Sequence, residues 1–372
     1  MWIRLLRIFA TTALASLVMS STTAASVRRD QNAPTSFVGL ECTSSSHCVA
    51  VGNGIAVTND GGFEWSTHRN HNRNEFSAIS CPSSSHCVAV GLGDIIGLTN
   101  DAGRSWVLER LVSSSDGTLL SVSCPTVAYC VTAGPAGGVG ISTDGGTHWS
   151  LAKTSSISIS PSLRKTCDHC DPTSVWCWSE KKCALFLSPS NSERVGVRLI
   201  SNDGGLSWTG RPASSSARFG LSTIRNVVCT SDTHCLAINY SQETVGWILY
   251  SSDAGLRWRE TMIEQSPGYG IASLSCWTGT SCVATGSSLE NGHGRYAVYW
   301  SHDAGTTWKR GVLPQAVREL VDAQTFYAEK LNAVSCISGG FCLAVARNTG
   351  LVVSSHNGGK TWKLVKNRGR ST

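Results

Sequence analysis

The chain is 372 residues long, 41% hydrophobic and only 15% charged, which supplies a core and excludes a disordered chain. A net charge of +6 is too mild for a strongly basic nucleic-acid binder, and no internal apolar run is long enough to span a membrane. The outliers are 16 Cys and 37 Gly against 3 Met. Cysteines at that density mean metal or catalysis in a reducing compartment and staples in an oxidising one.

Residues 1–25 read as a secretory signal. Arg4 and Arg7 form the positive start, Ile8 to Met19 the short apolar stretch, and Thr23-Ala24-Ala25 the small-residue cleavage site. Cleavage after Ala25 lowers the net charge from +6 to +4 and leaves no stable membrane insertion. Residues 26–35 are a short linker, 36–365 carry an internal repeat, and 366–372 are a basic tail.

Two patterns alternate strictly along 36–365. The first is Cys-x5-Cys, at Cys42/Cys48, Cys81/Cys87, Cys124/Cys130, Cys177/Cys183, Cys229/Cys235, Cys276/Cys282 and Cys336/Cys342. The second is [Ser/Thr]-x-Asp-x-Gly-x-x-Trp, with Asp60, Asp101, Asp144, Asp203, Asp253 and Asp303 preceding Trp65, Trp106, Trp149, Trp208, Trp258 and Trp308. The seventh copy, ending at Trp362, has Asn357 in place of Asp. Trp-to-Trp spacings run from 41 to 59 residues.

Each copy predicts four short strands. In the second copy these are Phe76 to Cys81, the apolar run Cys87 to Val90, Ile95 to Thr99, and a fourth opening at Trp106. The Cys-x5-Cys segment joins strands one and two, and the Asp segment is the tight turn between strands three and four. Seven such units predict an all-β fold, a seven-bladed β-propeller. A β-solenoid is the weaker reading, because its coils are usually shorter and less hairpin-like.

The second pattern resembles the Asp-box, or bacterial neuraminidase repeat, of sialidases, sortilin-type receptors, some xyloglucanases and the photosystem II assembly-factor family. The resemblance covers nearly all of 36–365. It implies a propeller fold with Asp-box turns on the face away from any active site, and it says little about activity. Six equivalent carboxylates spread round a ring cannot converge on one substrate, so Asp60, Asp101, Asp144, Asp203, Asp253, Asp303 and Asn357 read as turn acceptors. The paired tryptophans read as packing between sheets.

The Cys-x5-Cys pairs read as seven disulfides, one per blade, each worth about 2.4 kcal/mol by loop entropy. Zinc fits poorly, since x5 exceeds the usual ligand spacing. Cys167-Asp168-His169-Cys170 lies outside the repeat and reads as a local Cys167–Cys170 disulfide. It lacks the βαβ setting of a redox Cys-x-x-Cys. No metal or cofactor is expected. Strand order puts staples and Asp turns at one end of every blade, so a ligand belongs at the other.

That other face is built by loops of varying length, which carry polar and basic residues. Arg69, Arg73, Arg225, Arg295 and Arg347 are the candidate binding residues, since arginine's fork suits carboxylate, sulfate or phosphate. Pro314 to Asp322 predicts a short helix capping this rim, with Val317, Leu320 and Val321 inward. No Arg-Ile-Pro motif of the sialidase type occurs, and nothing pairs any two of Asp94, Asp116, Glu193, Glu243, Glu264, Glu290, Glu319 and Asp322. The sequence therefore points to an exported, monomeric, non-enzymatic binding or scaffold propeller for a protein or anionic glycan. The alternative is a divergent sialidase-like glycoside hydrolase.

Overall fold

The computed structural model describes residues 36–68, 75–111, 117–135, 138–152, 157–158, 170–189, 196–215, 224–239, 247–263, 270–290, 293–320, 330–347 and 349–365. The expected signal, linker and basic tail lie outside them.

The chain forms seven antiparallel sheets in sequence order, each a blade. Blade 1 is Phe37–Cys42, Cys48–Gly52, Gly54–Thr58 and Ser66–His68. The second strand of this blade is buried along its whole length, because a neighbouring blade covers each face. That is why it reads as a continuous apolar run, Cys-Val-Ala-Val-Gly, rather than an alternating one.

The first strand of each blade is innermost. The seven are Phe37–Cys42, Phe76–Ser80, Ser121–Ser123, Cys170–Cys177, Ile224–Cys229, Ile271–Cys276 and Leu331–Cys336. Each touches the inner strands of both neighbours, and the seventh touches the first, so the ring is closed. No strand is exchanged at the seam: blade 1 and blade 7 are each complete.

One apolar cluster fills each gap between blades. The repeat tryptophan of the later blade sits in every gap. Trp65 packs between blades 7 and 1, and Trp208 between blades 3 and 4.

Two departures from the four-strand unit occur. Ile157–Ser158 pairs parallel with the outer strand Trp208–Pro212, and Ser214–Ser215 pairs parallel with Arg257–Met262. Blades 4 and 5 are thus five-stranded. Incoming connections supply these extra strands and cover backbone groups that an edge would leave unpaired. The expected rim helix is shorter than the sequence predicts, at Gln315–Arg318 (α1), with Val317 buried and Leu320 packed against the cluster of blades 6 and 7. Val321 and Asp322 lie outside the described residues.

All seven Cys-x5-Cys pairs are disulfides, one per blade: Cys42–Cys48, Cys81–Cys87, Cys124–Cys130, Cys177–Cys183, Cys229–Cys235, Cys276–Cys282 and Cys336–Cys342. Their position agrees with the sequence reading of the second copy, in which Cys81 closes the first strand and Cys87 opens the second. In five blades the first cysteine ends the first strand, and Cys81 and Cys124 directly follow theirs. Cys42 and Cys48 are direct cross-strand partners, as are Cys177 and Cys183, Cys229 and Cys235, Cys276 and Cys282, and Cys336 and Cys342. The second cysteine of every pair opens a buried second strand. Cys48, Cys87, Cys130, Cys183, Cys235, Cys282 and Cys342 are all 0% exposed, so this half of each staple is core and none of it is available to a ligand. Cys170 is also disulfide-bonded, while Cys167, its expected partner, lies outside the described residues.

Candidate functional site: the central channel

The two ends of the ring differ in kind. At one end, the disulfide hairpin and the Asp turn of the same blade are tied by a backbone hydrogen bond. Gly61 N–H donates to Ser46 O at 2.9 Å, Ala102 to Ser85 at 3.0 Å and Gly145 to Ala128 at 2.8 Å. The other four blades repeat the bond, from Gly204, Ala254, Ala304 and Gly358.

Inside each turn the geometry also repeats. In blade 3, Ser142 Oγ donates to Asp144 Oδ1 at 2.9 Å and accepts from Gly146 N–H at 2.7 Å. Asp144 Oδ1 also accepts from His148 N–H at 2.9 Å. The His148 backbone and ring hydrogen bonds hold the Asp144 carboxyl down at about 2, and the Ser105 hydroxyl chiefly does the same for Asp101. Asn357 keeps the pattern without charge, accepting from Ser355 Oγ at 3.0 Å and Thr361 N–H at 3.0 Å. This end is filled by its own hydrogen bonds.

The inner strands enclose a channel of about 880 Å³. An innermost strand has one edge with no strand beside it, so its N–H groups need other partners. Serines of the preceding blade provide them. Ser80 Oγ accepts from Cys124 N–H at 3.1 Å, Ser123 Oγ from Cys177 at 3.0 Å, and Ser275 Oγ from Cys336 at 2.9 Å. Ser335 Oγ accepts from Cys42 N–H at 2.9 Å across the seam. A second tier repeats this two residues earlier, where Ser121, Ser174 and Ser273 accept from Val175, Val227 and Val334.

Pairing with the second strand shifts register at Phe37/Gly39, Phe76/Ala78, Pro172/Ser174, Ile271/Ser273 and Leu331/Ala333. The bulged residues Val38, Ser77, Thr173, Ala272 and Asn332 all line the channel. A bulge re-aims a side chain that a regular strand would turn into a blade. In blade 5 the shift spans Arg225/Val228, and Asn226 adopts a left-handed φ of 54°.

The channel's charges are unevenly placed. Toward the loop end lie Glu75, Lys330 and Arg347, each outside the end of a strand, with Arg225 one bulge further in. Desolvation lowers the Lys330 ammonium below its ordinary range. Arg347 Nε donates to Ser36 Oγ at 2.9 Å. At the disulfide end the only carboxyl among the described lining residues is Glu41. It occupies the position held by Ser80, Ser123, Ser275 and Ser335 in other blades, and it takes the same partner, the Cys81 N–H of the next blade. Glu41 is half-buried by surface because it faces the cavity, yet protein surrounds it. Desolvation pushes its carboxyl up to about 8, against the opposing effect of the Cys81 hydrogen bond.

Of the five arginines singled out in the sequence, the structure brings two into one cavity. Arg225 and Arg347 line the channel. Arg295 instead donates to Arg318 O at 2.5 Å, at the end of α1. Arg69 and Arg73 lie outside the described residues. Among the candidate carboxylates, Glu290 pairs with Arg310 and Glu319 accepts from Gln315 Nε2 at 2.6 Å. Asp94 is buried in the turn after Gly93, where desolvation raises it. Asp116, Glu193, Glu243, Glu264 and Asp322 are outside the described residues. The described channel lining holds no tyrosine.

Sequence reasoning missed Glu41 and Lys330. A signal existed: aligned on the first cysteine, the preceding residue is Ser in four copies and Glu, Trp or Val in three.

No protein-family model matches the chain, and no curated protein matches it in sequence. Solved structures match in shape. YCF48 bound to a D1 peptide aligns at TM-score 0.59 and 17% identity, over 86% of this chain and 93% of that one. YCF48 from Cyanidioschyzon merolae gives 0.59 and 16%, over 87% and 95%. A GH74 xyloglucanase from Xanthomonas campestris gives 0.66 and 14%, over 92% of this chain and 55% of that one. At these identities the likeness is one of fold, and this chain is a single seven-bladed propeller.

Proposed function

We infer that this is an exported binding or scaffold propeller of the Asp-box type, and that its partner is a protein segment held at the loop end of the ring. The observation that carries the reading is the cation-lined channel, where Arg225, Lys330 and Arg347 face one cavity. Oriented guanidinium and ammonium groups favour an anionic partner group and steer its approach. The whole-chain likeness to YCF48, a single propeller whose structure was solved with a peptide, supports a protein over a glycan. The seven disulfides belong to an oxidising compartment, which agrees with a signal in residues 1–25. Arg69, Arg73 and Arg295 remain candidates for the outer rim.

The test compares capture from the native secretome by the wild type and by Arg225→Glu/Arg347→Glu. A partner retained by the wild type, lost by the variant and weakened by salt supports the reading. Capture that survives the double change but fails on altering Ser83 and His86 at the disulfide end would reverse the two faces. Turnover in a screen of fluorogenic glycosides would favour the hydrolase alternative.

A further inference from the structure

Glu41 stands at a place where the fold prefers a serine. Four blades satisfy the next blade's cysteine N–H with a hydroxyl. Blade 1 does so with a carboxyl that lines the channel. A serine would do the structural job at lower desolvation cost, so the carboxyl is an expensive choice for packing alone.

Among the described residues, no countercharge stands beside Glu41. Its strand packs on Cys48–Gly52 of its own blade, on Phe76–Ser80 of blade 2, and on Leu331–Cys336 and Cys342–Ala346 of blade 7. None of these strands holds a Lys, Arg, His, Asp or Glu. The nearest charged residues along those segments are Glu75, Lys330 and Arg347, at the opposite end of the strands. Arg225 enters from blade 5 across the cavity. His47 and His86, in the disulfide hairpins, are held by Asn59 at 2.7 Å and Asn100 at 2.6 Å. An uncompensated carboxyl in such a place holds its proton at neutral pH. A protonated carboxyl can accept the Cys81 N–H and still offer its O–H as a donor.

The same layer of the channel carries Trp176 from blade 4 and Val228 from blade 5, which replace the serine there. Both pack against the apolar clusters that follow their blades, Trp176 between blades 4 and 5 and Val228 between blades 5 and 6, so this layer of the channel wall is apolar there. Five strand residues separate this layer from the loop-end mouth, about 17 Å at 3.3 Å per residue. An extended segment of about five residues spans that depth.

We propose that the channel admits an extended peptide segment past its cationic mouth and that Glu41 recognises an uncharged acceptor on it, a peptide carbonyl or carboxamide, by donating its carboxyl proton. Ionisation of Glu41 replaces the donor with an acceptor and expels the segment. Binding is therefore weakened at alkaline pH. This rests on the binding reading above and assigns the segment's chemistry and its control.

The experiment uses a library of blocked nonapeptides, N-acetylated and C-amidated, selected on the full-length mature protein at pH 6.5. Selected peptides are then titrated at pH 6.5 and pH 9 against the wild type, Glu41→Gln and Glu41→Ser. The wild type should lose about tenfold or more in affinity at pH 9. Glu41→Gln, whose carboxamide still donates, should bind equally at both values. Glu41→Ser, which restores the common repeat residue and so preserves the fold, should bind about tenfold more weakly at pH 6.5. Peptides that bind the wild type and Glu41→Ser alike, but fail with Arg225→Glu/Arg347→Glu, overturn the Glu41 assignment and leave the binding reading intact. Selection of no peptide by any form overturns both.

Discussion

The backbone N–H of Cys42 donates to Ser335 Oγ at 2.9 Å across 293 residues of sequence, joining the first blade to the last. The same bond joins interior blades, from Cys124 to Ser80 and from Cys177 to Ser123. The seam is therefore built like any other blade boundary.

Ser335→Ala should cost about 1–3 kcal/mol, the usual penalty for leaving a buried N–H without its acceptor. Ser123→Ala should cost a similar amount. Urea unfolding of both variants checks this. A loss at Ser123 with none at Ser335 would mean that the seam does not hold the ring in solution.

Glu41→Ser should stabilise the protein at neutral and alkaline pH. Burial raises the folded-state carboxyl to about 8 from an ordinary value of 4.5. Between those values the folded state keeps a proton that the unfolded state has released, so stability falls as pH rises and levels off above 8. Access of channel water reduces the effect, and a gain of about 1–3 kcal/mol is expected at pH 7 to 8. Near pH 4 the two proteins should unfold alike. Parallel denaturant curves across the whole range would contradict the burial of this carboxyl.

Asp144→Ala should lower the melting temperature by a few degrees at pH 7 and leave partner binding intact. The Asp144 carboxyl is depressed to about 2 by the His148 hydrogen bonds, so its contribution is complete above pH 4 and is lost as pH falls through about 2. The variant should show a smaller decline over that acid range than the wild type. An unchanged melting temperature with lost binding would move the functional site to the Asp-turn end.

Replacing Cys336 and Cys342 together by serine should cost about 2.4 kcal/mol from the loop-entropy term. Non-reducing peptide mapping of the wild type should return only pairs within one blade, such as Cys124–Cys130 and Cys229–Cys235, together with Cys167–Cys170. A fragment linking two blades would break the framework.

What the sequence by itself determined is local. Each of the seven blade disulfides joins cysteines six residues apart, and each Asp turn closes over four, so copy number, pairing and the sharing of one end follow from spacing alone. Pairing of Cys48 with Thr58 across two adjacent strands makes the shared end unavoidable. The tertiary structure decided the channel. Ser80 meets Cys124, Ser275 meets Cys336 and Glu41 meets Cys81 only when neighbouring blades pack side by side. The same packing buries Cys130, Cys183, Cys235 and Cys282 completely, which spacing alone leaves open. Whether Arg225 turns inward or Arg295 binds the end of α1 depends on a bulge in one strand and on where a connection lands. Short-range periodicity encodes turns and strands, because their partners are fixed by chain geometry. The protonation of Glu41 is set by desolvation, which is the sum of everything the closed ring places around one carboxyl.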